Sequence, residues 1–106
     1  MKKITKLAIA ALFGFAMMTT TLSADAAKGQ KLYSKYMKDV CGFSGAKFAA
    51  SHTQDEWEEI NTAGKFADEV KVICPGISDA YKDAWSGYLY DFSYEYASDS
   101  GNVPSC

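Results

Sequence analysis

An unbroken apolar run, Leu7 to Met18, lies between a basic start (Lys2, Lys3, Lys6) and the small-residue stretch Ala24-Asp25-Ala26. A positive start, a short apolar centre and small residues at the two positions a signal peptidase reads are the parts of a secretory leader. The run has twelve residues, too few to span a bilayer, which takes about 20. The pattern predicts cleavage after Ala26, with 1–26 as a signal peptide and 27–106 as the mature chain, periplasmic or secreted. That constrains the fold more than any other feature. Eighty residues (27–106) make one small domain, and a domain of that size buries a limited core and usually needs a staple or a cofactor.

The mature part carries eight lysines, no arginine and twelve carboxylates, a net charge of −4 with His52 neutral. Phosphate recognition uses clustered lysine and arginine, and the arginine fork is absent, so nucleic acid is excluded as a partner class. No second long apolar run follows the leader, so no stable membrane insertion is expected after cleavage. In an oxidising compartment two of Cys41, Cys74 and Cys106 pair and one is left over. Spacing alone leaves the pairings 41–74, 41–106 and 74–106 open.

The mature chain reads as helical throughout. Leu32, Tyr33, Tyr36, Met37 and Val40 form one apolar face over 28–40, with Lys28, Lys31, Lys35 and Lys38 largely outside it. Gly42 and Gly45 break this helix, and Phe43 and Phe48 tuck the turn against the core. Thr53 and Glu56 have the spacing of a capping box, with Asp55 and Glu56 in a first turn whose dipole favours acids. Trp57 and Ile60 give that helix its buried side, and Gly64 ends it. Phe66, Val70 and Ile73 or Cys74 repeat helical spacing up to Pro75-Gly76. The last helix is expected from a Ser78 cap, with Tyr81, Trp85, Tyr88, Leu89, Phe92 and Tyr96 on its apolar side and Tyr81, Trp85, Leu89 and Phe92 in the core. Gly87 inside it costs up to about 1 kcal/mol relative to alanine and suggests a close approach by the first helix. The expected fold is all-α, its first and last helices packed together and two short helices between them.

Chemical motifs are sparse. Cys41, Cys74, Cys106 and His52 could in principle bind zinc, but paired Cys-x₂₋₄-Cys knuckles are absent. A Cys–His nucleophile pair lacks an orienting third group, so no enzyme is expected. Asp55, Glu56, Glu58 and Glu59 read as a solvated helix face rather than a calcium site. Tyr90 and Tyr94 should face outward beside Asp91 and are the candidate surface for a protein partner in the cell envelope.

The order of these pieces resembles a small class I cytochrome c. Lys28-Gly29-Gln30-Lys31-Leu32-Tyr33 is similar to that family's opening helix, which runs into Cys-x-x-Cys-His, and Cys41 stands where the first haem-attachment cysteine would come. Position 44 is serine where the second cysteine would stand, and position 45 is glycine where the axial histidine would stand. Ile73-Cys74-Pro75-Gly76 resembles the Pro-Gly turn ahead of the family's axial methionine, although no methionine follows. The aromatic helix matches the terminal helix that crosses the first. The likeness covers most of residues 28–98. It implies a cytochrome-c-like domain without covalent haem, acting as a non-enzymatic accessory or binding module of an envelope electron-transfer assembly.

Two alternatives accompany that expectation. One is an electron carrier with unusual haem ligation, in which His52 serves as axial ligand and Cys41 as a single attachment point; Met37 reads as core filler instead. The other is a thiol–disulfide protein using Cys106, expected at a mobile terminus. By the resemblance, Cys41 and Cys74 both border the pocket that haem would fill. It therefore implies a Cys41–Cys74 disulfide as the staple in place of the cofactor, with Cys106 the free thiol.

Overall fold

The computed structural model describes residues 24–106. The leader expected over 1–26 therefore lies outside the described residues, except for Ala24, Asp25 and Ala26, which form the start of the first helix. That helix, α1, is Ala24–Leu32 in α geometry, a single π turn over Tyr33–Met37, and Lys38–Cys41. Gly42 ends it with φ 82°, the left-handed conformation glycine adopts at no steric cost, and its N–H donates to the Lys38 carbonyl.

Three short helices follow: α2 is Gly45–Ala49, α3 is Gln54–Thr62 and α4 is Phe66–Ile73. Ser44 caps α2, its hydroxyl accepting from Lys47 N–H. Thr53 opens α3 with both halves of the expected capping box in place. Gly64, with φ 75°, turns the chain out of α3, while Lys65 N–H donates back to the Ile60 carbonyl. After α4, single 3₁₀ turns at Pro75–Ile77 and Asp83–Trp85 lead into α5, Ser86–Glu95. The architecture is all-α, and α1 and α5 pack extensively with the shorter helices between them in sequence.

Three expectations need correction. Ser78 does not cap the last helix; it closes the Pro75–Ile77 turn, and α5 starts eight residues later. Pro75 lacks an N–H and the 78–85 stretch carries four polar or charged residues, Ser78, Asp79, Lys82 and Asp83, so turns win over helix there. Gly87 has open space around its α-carbon, whereas a β-carbon on Gly29 would collide with the backbone of Tyr88 and with Phe92 Cβ. Gly29 is the position that lets α1 and α5 approach. Finally, the apolar face of α1 splits. Tyr33 and Met37 are fully buried, but Tyr36 and Val40 are 44% and 50% exposed. The π turn inserts an extra residue into the spiral and so rotates Tyr36, within it, and Val40, after it, off the buried line.

The core is a chain of rings. Phe92 meets Tyr33 (centroids 6.3 Å apart), Tyr33 meets Phe48 (5.3 Å), Phe48 meets Trp57 (5.8 Å), and Trp57 meets Phe66 (5.6 Å). Leu89, Ile77, Val70 and Met37 complete it. Trp57 satisfies its indole N–H on the Ala49 carbonyl at 2.9 Å, and Tyr33 its hydroxyl on the Phe43 carbonyl at 2.7 Å. Tyr81 and Trp85, expected in the core, are only partly buried against it.

Candidate functional site

The last residue of α1 and the residue that follows α4 are covalently joined. Cys41 and Cys74 form a disulfide with Cα atoms 5.2 Å apart, well inside the reach of such a bond. Cys74 is buried and Cys41 partly exposed. The bridge holds Val40 against Gly76, where a β-carbon would lie 3.0 Å from the valine methyl.

Cys106 is the free thiol. It does not end a loose tail: Pro104 is buried, Ser105 Oγ accepts from Gln30 Nε2 at 2.7 Å, and the Cys106 carbonyl accepts from Ala46 N–H at 3.3 Å. These contacts carry the C-terminus back over α1 and α2. The thiol lies over Gly45, where a β-carbon would meet Cys106 Sγ at 2.6 Å, Phe92 Cζ at 2.9 Å and Tyr33 Cδ1 at 3.3 Å. Burial, and then the nearby Cys106 charge, push the Tyr33 hydroxyl well above the usual tyrosine range.

His52 has both ring nitrogens engaged. Nε2 lies 2.8 Å from Glu69 Oε2 on α4, and Nδ1 lies 3.4 Å from Glu56 Oε1 on α3. The ring stands edge-on to Trp57, with centroids 4.8 Å apart. The His52 carbonyl accepts from Ser98 N–H, so this one residue ties the start of α3 to α4 and to the segment after α5. Its sequence neighbourhood marked it as a ligand candidate, but nothing in the sequence signalled Glu69 as its partner.

Tyr90 and Tyr94 are neighbours, with centroids 6.0 Å apart. Tyr90 is partly buried, edge-on to Phe66 at 5.9 Å, and Tyr94 is 36% exposed, its carbonyl accepting from Gln54 Nε2. Burial raises the Tyr90 pKa, with Glu58 contributing.

A second aromatic surface escaped the sequence reading. Tyr36 stacks on Trp85 at 5.1 Å with the planes 18° apart, and Trp85 stands edge-on to Tyr81 at 5.6 Å. Lysine ammonium groups lie over three rings around it: Lys35 over Tyr36, Lys71 over Tyr81 and Lys28 over Tyr88. Lys28, Lys31, Leu32, Lys35 and Tyr36 line one shallow groove. The lysine spacing on α1 was visible in the sequence, but the π turn that turns Tyr36 outward beside it was not.

Among the described residues no group of three or more His, Cys, Asp or Glu side chains is arranged to hold a metal ion. No described helix is long and apolar enough to cross a membrane. No family model, curated protein or solved structure matches the chain.

Proposed function

We propose that this chain is an exported, non-enzymatic binding module, cytochrome-c-like in descent and working without haem, that serves as an accessory of an envelope electron-transfer assembly. The observation that carries the reading is the surroundings of Gly45. In the resemblance this is the axial-histidine position, and the volume that a side chain there would need is held by Cys106 Sγ, Phe92 and Tyr33. Cys41, the matching attachment cysteine, is spent in the bridge to Cys74. His52 points its ligating nitrogens at two carboxylates, and Met37 is fully enclosed in the core. These residues do not fit a haem. A visible absorption spectrum of the protein exported from a haem-maturing periplasm tests this: the expected result is no Soret band, and a Soret band at stoichiometric intensity contradicts it.

A second reading, a thiol–disulfide protein, is favoured by a specific observation: a partly exposed free thiol coexists with a disulfide in one small domain. The Cys106 thiolate would attack a partner's disulfide sulfur, forming a mixed disulfide and releasing the partner's second sulfur as a thiolate. The docked tail opposes this by restricting approach to the sulfur. Faster labelling of Cys106 by a thiol probe than of an unfolded control peptide supports the second reading; slower labelling supports the first.

A further inference from the structure

We propose that the lysine-and-aromatic face of α1 docks on the surface of an anionic phospholipid bilayer. This names a surface and a partner for the binding module proposed above and rests on its export.

The argument begins with charge. α1 carries Lys28, Lys31, Lys35 and Lys38, with acids only near its ends, Asp25 and Asp39. α3 is the reverse, with Asp55, Glu56, Glu58 and Glu59 and no lysine. α5 packs against both helices. Its Tyr88 and Phe92 meet α1 at Gly29, while Tyr90 and Tyr94, about half a turn round the helix, lie toward Phe66 and Gln54. The basic and acidic helices therefore flank opposite sides of α5, and a planar anionic surface met by α1 leaves the acids of α3 turned away.

The chemistry of the face selects among anionic partners. Its cations are all lysine, compact point charges on long apolar stems, and the chain holds no arginine to pair carboxylates in a fork. Lysine stems and amphipathic rings are the side chains that settle at a bilayer's headgroup level. Here Tyr36, 44% exposed, lines the groove with Lys28, Lys31 and Lys35, and Leu32 adds an apolar side chain to it. A second copy of this chain is a poorer occupant. The acidic patch of α3 that would pair with the lysines, Asp55, Glu58, Glu59 and Thr62, carries no apolar side chain to cover Tyr36, and the Ile60 and Ala63 patch beside it brings Glu59 and Glu69 together with a lysine, Lys65.

Vesicle co-sedimentation of the exported chain tests the proposal. It should pellet with vesicles of phosphatidylethanolamine and phosphatidylglycerol, stay in solution with phosphatidylcholine alone, and be released by high salt, which shortens the reach of the charges. The double variant Lys31→Glu/Lys35→Glu changes exposed side chains only and should bind at least about tenfold more weakly. Glu58→Gln/Glu59→Gln, on α3, should bind at least as well as the parent. Far-UV circular dichroism confirms that each variant is folded. Equal partition into both vesicle types, no partition into either, or unchanged binding by the lysine variant overturns the proposal. So does salt-sensitive self-association without vesicle binding, which would give the face to a second copy. A Soret band would sink the haem-free reading and leave this result untouched.

Discussion

Gly45 has no room for a β-carbon, because the C-terminal thiol fills the space. Gly45→Ala should lower stability by about 1–3 kcal/mol, the usual cost of overpacking. It should also speed thiol-probe labelling of Cys106, since the tail is the part of the contact that can move. Unchanged labelling would mean that Phe92 or Tyr33 gives way instead. The tryptophans separate in the same way. Trp57→Ala empties a fully buried site and should cost about 3–5 kcal/mol, while Trp85→Ala, at the half-covered Tyr36 stack, should cost clearly less. Denaturant titration of both variants checks the order. The sequence marked Trp57, Leu89 and Phe92 as core from helical spacing alone. It misplaced Trp85 because spacing cannot reveal that the chain before Ser86 is turn rather than helix, nor which ring will meet Tyr36.

Helix ends were legible where local chemistry sets them. The Thr53–Glu56 box and the Gly64 stop need only nearby atoms, and both formed as the spacing implied. The Thr53 backbone N–H, with His52 beside it, holds the Glu56 carboxyl below its usual range. A depressed folded-state pKa stabilises above the unfolded value, about 4.3, and that contribution is lost as pH falls through the folded one. Glu56→Gln keeps the cap acceptor and removes the titration. The stability difference between parent and variant should therefore be largest above about pH 5 and shrink in acid; a difference independent of pH would refute the assignment. The π turn was not legible in local spacing, and the Tyr33 and Met37 at its two ends are buried against residues distant in the chain. Helix-to-helix contact was misread for the same reason. Gly29→Ala should destabilise markedly by driving α1 from α5, and Gly87→Ala should stabilise by up to about 1 kcal/mol, the propensity difference in an open helix position. Thermal melts of the pair decide which glycine is the contact.

At the scale of the whole molecule, the all-α plan followed from the apolar periodicity, while the pairing of first and last helices was expected from Gly87 and from the resemblance, and the structure makes that contact at Gly29 instead. The Cys41–Cys74 bridge followed from the resemblance, since spacing could not choose among three pairings. The docked tail was invisible because it rests on contacts of 75 residues' separation, Gln30 to Ser105, between side chains with no pattern of their own. The picture that results is a small domain whose covalent staple joins the last residue of α1 to the residue that follows α4. Closing that loop, with a sequence separation of 33, should contribute roughly 3–4 kcal/mol on the chain-entropy account. The most direct test is the intact mass of the protein exported from a haem-maturing host, alkylated without reduction. The expected species is the chain from Ala27 with one alkyl group on Cys106, two hydrogens fewer for the 41–74 bridge, and no added haem. A species heavier by one haem, with the Cys41 peptide carrying it and Cys74 alkylated, would contradict the account.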